Sequence, residues 1–318
     1  MHISNEALFV LGLPDDLKTK ITSSNGTVEV PISSKNHIGY ELIYALGKRL
    51  GAQISTIQPD KEGLDLRYRL HFESLKLSDI KIFLIDLDDT IFMTHKLFKK
   101  KIKEAVDILI TDCPQIDRES FQSSFEKISK EAYKIPTLGV RPSPRWEYVL
   151  DNLETEFNIP IDTKSAMLTK IMEVYSEAPE FHDGSIEFLQ KLQSLGKEIK
   201  FVTHAEEEWT QIKINALEKA TGIIFNYLCT PVERDKDSKD WKDAAGNYTG
   251  KEVLVIGDNV IADNKNALIA EFATVNISYI NPWEGFHAEL PLGVLSINNL
   301  MEIFTLLPNT KSFVKLDI

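Results

Sequence analysis

From residue 80 onward, short unbroken apolar runs alternate with stretches that carry apolar residues at helical spacing. IFLID, EIKFVTH, GIIFNYL, EVLVIGD and ATVNISYI read as strands, and SIEFLQKLQSL and NALIAEF as helices between them. Strands apolar on both faces and separated by helices predict a parallel sheet covered on both sides. Between Thr90 and about residue 180 the pattern is helical, with no comparable strand. There HKLFKKKIKEAVDILI places Leu97, Phe98, Ile102, Val106, Leu109 and Ile110 on one face, so Lys99, Lys100, Lys101 and Lys103 are expected on a solvated opposite face.

The first 79 residues follow another grammar. ALFVLGL and TVEVPIS read as strands separated by the turn-rich TSSNG. A helix with Ile38, Leu42, Ile43, Leu46 and Leu50 on one face ends at Gly51. In LDLRYRLHFES, Leu66, Tyr68, Leu70 and Phe72 alternate with polar residues, as in a strand with one wet face. The expected organisation is therefore a small α+β domain over 1–79, β-grasp-like, and an α/β core of doubly wound, Rossmann-like parallel-sheet type over 80–95 and 180–318. A helical block over 96–179 is inserted into that core.

The chain has 318 residues, enough for two or three compact units. A net charge of −12 argues against broad binding to nucleic acid or anionic membranes, which calls for an excess of Lys and Arg. Cys113 and Cys229 lie far apart and form no CxxC pair, so neither a disulfide framework nor a zinc site is expected. No apolar run approaches the roughly 20 residues of a membrane-spanning helix, and the N-terminus has no signal-peptide pattern. A cytoplasmic location is the expectation, and an exported effector without a cleaved signal reads the same.

Chemistry concentrates where strands end. KIFLIDLDDTIFMT runs from an apolar strand into Asp86, Asp88, Asp89 and Thr90. The strand IKFVTHA ends in Thr203, and VLVIGDNVIADN ends in Gly257-Asp258, with Asp263 five residues on. Parallel strands deliver their C-terminal ends to one rim, so these groups can converge. Clustered acids there need a positive neighbour. Mg²⁺, an ion of oxygen ligands, is the natural cation. A carboxylate at such a rim can attack phosphorus and form an aspartyl-phosphate. Thr203, a lysine and backbone N–H groups would serve as donors to the phosphoryl group. Lys236, Lys239 and Lys242 all lie in the lysine-bearing stretch between Thr203 and Gly257-Asp258. Lys239, at the start of a short helix, is favoured, and two of the three must be surface residues.

In these motifs the chain resembles the haloacid dehalogenase (HAD) superfamily. DLDDT matches its DxDx[TV] motif, FVTH its strand ending in Thr or Ser, and GDNVIAD its GDxxxxD motif, in the family's order. The resemblance covers about 80–307 and leaves the N-terminal domain aside. It implies that Asp86 is the nucleophile and a Mg²⁺ ligand, and that Asp88 is the general acid and base, giving its backbone carbonyl to the metal. Asp258 would be the other ligand, with Asp263 in support. Thr203 and the backbone N–H of His204 would hold phosphoryl oxygens, with Thr90 beside them. A second acid at Asp88 favours phosphoryl transfer over dehalogenation. Asp89 departs from the glycine often found at that position.

The helical block matches a type-1 cap of the family, which closes over small phosphorylated metabolites. In its loop GVRPSPRWEY, Arg141 and Arg145 could bind a second anionic group and Trp146 could stack on a base or sugar; a surface role beside a helix start is as good a reading. The expected function is a Mg²⁺-dependent phosphatase acting on a small phosphorylated substrate. The alternatives are a phosphoprotein phosphatase that docks a protein partner through residues 1–79, and a phosphomutase.

Overall fold

The computed structural model describes residues 75–307, apart from 134, 136–137, 139–141, 280–289 and 292–293, and the backbone of four strands before them. Those four are β1 (Thr22–Ser24), β2 (Thr27–Pro31), β3 (Gln53–Ile57) and β4 (Arg67–His71). They form an antiparallel sheet in the order β1-β2-β4-β3. Strands were expected at β2 and β4. The segment TSS, read as turn, is instead strand β1, with Ser24 paired to Thr27. β3 was not expected. The strand expected at 7–13 and the helix at 38–50 lie outside the described residues, and the β-grasp-like reading with them.

The core is a six-stranded, all-parallel sheet in the order β10-β9-β8-β5-β6-β7. Its strands are β5 (Ile82–Ile85), β6 (Glu198–Thr203), β7 (Asn226–Cys229), β8 (Val253–Gly257), β9 (Ala273–Ile277) and β10 (Leu295–Ile297). Side chains alternate between two apolar layers, as the pleat dictates. Phe83, Ile85, Phe201, Leu254 and Ile256 face one layer, covered by α5 (Ser185–Ser194) and α6 (Glu207–Thr221). Ile82, Leu84, Val202, Val253 and Val255 face the other, covered by α7 (Ser238–Ala245) and α8 (Asn266–Ile269). Ile303 of α9 (Ile303–Leu306) joins the first layer.

Between β5 and α5 lie four α-helices, α1 (Thr94–Asp112), α2 (Arg118–Tyr133), α3 (Pro142–Phe157) and α4 (Ile161–Met172). They bury a core of their own, including Phe98, Leu109, Phe121, Trp146 and Met167, and Trp209 of α6 joins it. The chain leaves and re-enters the sheet domain through two paired segments. Met93 N–H donates to Glu180 C=O (2.7 Å) and His182 N–H to Ile91 C=O (2.9 Å). The lysine face of α1 needs one correction. Lys101 is buried, because its ammonium reaches Glu173 (2.7 Å) and Glu177 (2.6 Å), which shield it from water.

Candidate active site

From β5 the chain continues to β6 and β7 on one side of it, then crosses to β8, β9 and β10 on the other. Such a reversal leaves a crevice at the strand C-termini, and the candidate residues stand there. Asp86 follows β5 and stays in the sheet, its N–H donating to Ile256 C=O at 2.9 Å. The turn comes at Asp89, whose φ is +54°. Left-handed backbone of this kind suits glycine, and Asp tolerates it better than most residues. The Asp89 carboxylate accepts from the His95 N–H (2.9 Å) and meets its ring Nδ1 (2.6 Å), which ties the turn to the start of α1.

Asp86, Asp258 and Asp263 place carboxylate oxygens within 4.8 Å of one another. Asp263 can lie under the end of β8 only because residue 257 is glycine; a Cβ there would overlap the Asp263 carboxylate. The Asn259 N–H donates to Asp263 (3.0 Å). The Thr90 hydroxyl is 3.4 Å from Asp258 Oδ1, and the Thr90 carbonyl accepts from the Tyr279 hydroxyl (2.9 Å). Thr90 thus braces Asp258.

Lys236 is the lysine that reaches these acids. Its ammonium lies 2.6 Å from Asp86 and 2.7 Å from Asp263, and it also donates to the Val202 carbonyl (3.1 Å). The expectation of Lys239 is corrected. Its side chain is exposed, as is that of Lys242. The start of α7 is instead a capping box, in which Asp237 accepts from the Lys239 N–H and Asp240 answers with its own carboxylate.

Electrostatics oppose ionising all three acids of this cluster at once. Burial pushes the Asp86 carboxyl up to about 7, with Lys236 opposing and Asp263 and Asp88 adding to the rise. Burial and then Asp86 raise Asp258 as well. Burial alone would lower the Lys236 ammonium, but Asp263 and Asp86 outweigh it and keep the proton on. A set of oxygen donors with surplus negative charge fits a hard divalent cation.

Asp88 faces a different set of partners. Both its carboxylate oxygens accept from Lys213 (2.9 and 2.8 Å), and Thr94 (2.6 Å) and Thr203 (3.4 Å) add hydroxyls. Lys213 and Thr94 were missed by sequence reasoning. The signal for Lys213 was present, since it lies in the buried stripe of α6 with Trp209, Ile214 and Leu217.

The remaining expected residues divide. His204 follows Thr203 at the rim, half-buried, and its ring is held below its ordinary pKa by burial and then by Lys236. Arg145 stacks over Trp146, 4.7 Å from the ring centroid. Trp146 is 1% exposed, with its indole N–H on the Tyr175 hydroxyl (2.9 Å), so it is a core residue of the helical block and not a stacking platform for a ligand. Arg141 lies outside the described residues.

No family model and no curated protein matches the chain. Solved structures do. The HAD-hydrolase YfnB from Bacillus subtilis, crystallised bound to magnesium, superposes over 72% of this chain and 99% of its own, with TM-score 0.54 and 16% identity. A dehalogenase superposes over 72% of this chain and 97% of its own, at TM-score 0.51 and 17% identity. The HAD phosphatase from Thermococcus onnurineus does so over 72% and 99%, at TM-score 0.50 and 15% identity. Identities this low speak to architecture and leave the reaction open. On the strand order, the motif positions and these superpositions, the chain has the fold of the haloacid dehalogenase superfamily.

Proposed function

We propose that this chain is a Mg²⁺-dependent phosphatase that hydrolyses a phosphomonoester through an aspartyl-phosphate on Asp86. The observation that carries the reading is the division of acids at one rim. Asp86, Asp258 and Asp263 form a cation-seeking cluster held by Lys236, while Asp88 stands apart with its own lysine. Dehalogenation needs no second acid, because a halide leaves unprotonated; esters of phosphate do need one.

Mg²⁺ would be held by Asp86, Asp258 and the Asp88 carbonyl, with Asp263 in support, and would neutralise charge on the phosphoryl group. Asp86 attacks phosphorus, its carboxylate aimed by Lys236. Asp88, entering the first step protonated, gives that proton to the departing oxygen, and the carboxylate so formed, the form that Lys213 pairs with, takes one back from the water that cleaves the aspartyl-phosphate. Thr203 and the His204 N–H hold the phosphoryl oxygens.

Residues 96–179 act as a cap over the core in this reading, which favours a small phosphorylated metabolite, because a protein loop would have to enter under the cap. Docking of a protein partner through residues 1–79 belongs to the alternative, phosphoprotein reading. The test is turnover of p-nitrophenyl phosphate with Mg²⁺. Asp86→Asn should reduce it to background, and wild-type turnover in that variant would remove Asp86 from the role. A panel of phosphorylated sugars, nucleotides and phosphopeptides decides the substrate class, with strong selectivity for phosphopeptides overturning the preference for metabolites.

A further inference from the structure

Lys213 is the second buried ammonium at the rim, and the reaction as written does not use it. It has no solvent exposure, yet it donates to both oxygens of Asp88. The Trp209 ring lies 3.8 Å from its Nζ, a cation–π contact one helical turn back. Trp209 is itself fixed. Its indole N–H donates to the Glu177 carbonyl (2.9 Å), on the segment returning from the helical block, and its ring packs edge-on against Tyr175 at 5.0 Å.

Burying an ammonium is costly unless its partner is held in place. Here the pair also restrains the partner. With Lys213 present, Asp88 accepts from three elements at once: α1 through Thr94, the end of β6 through Thr203, and α6. Without it only two hydroxyls remain, and hydroxyls rotate to follow a moving acceptor.

We infer that Lys213 is a positioning residue for Asp88, holding that carboxylate where it meets the leaving oxygen. The inference rests on the phosphatase reading above. It makes the efficiency of leaving-group departure depend on a lysine outside the motifs, anchored by an aromatic residue shared with the helical block.

The experiment is kcat/KM with Mg²⁺ over a series of aryl phosphates, from p-nitrophenyl to p-methylphenyl, whose leaving groups need increasing help from a proton. Lys213→Met should lose about tenfold more on the p-methylphenyl ester than on the p-nitrophenyl ester. Asp88→Asn should steepen the series in the same way, the double variant should be no worse than Asp88→Asn, and Lys213→Arg should restore most of the shallow dependence. Equal loss across the series, or additive losses in the double variant, would overturn the inference. Should Lys213→Met not fold, Trp209→Leu, which keeps the ammonium and removes its platform, should steepen the series to a lesser degree, and an unchanged slope counts against the role. A crystal structure of Lys213→Met or, failing that, Trp209→Leu supplies a readout independent of turnover. Asp88 is expected to turn away from Thr203, and an unmoved carboxylate would end the proposal. Absence of turnover in the wild type would instead defeat the phosphatase reading and leave this structural comparison to judge Lys213.

Discussion

Lys236 and Asp86, 150 residues apart in sequence, meet at 2.6 Å in a buried ion pair that joins the segment after β7 to the end of β5. Through Asp263, at 2.7 Å, the same ammonium also ties in the loop after β8. One cation thus fixes two of the three acids of the cluster.

It follows that Lys236→Met should lower kcat/KM on p-nitrophenyl phosphate by about 10²-fold, the usual cost of removing one preorganised charge. Lys239→Ala, which trims an exposed side chain, should stay within about twofold of wild type. Steady-state kinetics on the two variants separates them.

Gly257 offers a test of backbone shape. In Gly257→Ala the new methyl group collides with Asp263, so either β8 or the carboxylate must move. Overpacking of this kind costs about 1–3 kcal/mol. Urea denaturation should show that loss, and Mg²⁺ affinity by calorimetry should fall with it.

The raised carboxyls give a pH dependence with a definite sign. Folded Asp86 sits at about 7, raised chiefly by burial, well above the 3.8 of an ordinary carboxyl. A carboxyl raised in the folded state binds protons more tightly folded than unfolded. Its penalty on stability is therefore absent below about pH 4, grows as pH rises, and is complete above about pH 7. A bound divalent cation cancels that penalty. Thermal melts with and without Mg²⁺ should show a larger rise in Tm at about pH 8 than at about pH 5, and an equal rise at both would contradict the assignment of Asp86 as a ligand.

Lys101 predicts an asymmetry. Replacing both Glu173 and Glu177 by Gln leaves a buried ammonium without a carboxylate, whereas Lys101→Met removes the charge and leaves two partly exposed acids to water. The glutamine pair should lower Tm more than the methionine does, because a stranded charge is worse than a missing one. Thermal melts of both variants decide it.

How much of this was legible in the sequence depends on the reach of each signal. Asp86, Asp88, Asp258 and Asp263 were legible because a strand apolar on both faces that ends in acids is unusual, and the sheet brings such ends together. Lys236 was ranked below Lys239 because a helix start is a local cue. The structure fills that start with Asp237 and Asp240, while the useful lysine lies just before it and reaches across the sheet. Lys101 and Lys213 were read as surface residues or passed over, although each falls at helical spacing among buried neighbours. Periodicity marks such a position, but the partner that makes a buried lysine tolerable is far away in sequence. β1 has no apolar residue at all in Thr22–Ser24, so its pairing with β2 defines it, and pairing leaves no trace in local pattern.

β5 has neighbours along both edges, β6 and β8, and an apolar layer on each side. Its amides at Ile82–Asp86 should therefore exchange with deuterium only when the whole domain opens, while the paired connections at 91–93 and 180–182 can part by local fluctuation. The Asp86 carboxylate is thereby mounted on the part of the molecule slowest to breathe, and the helical block hangs from parts free to do so.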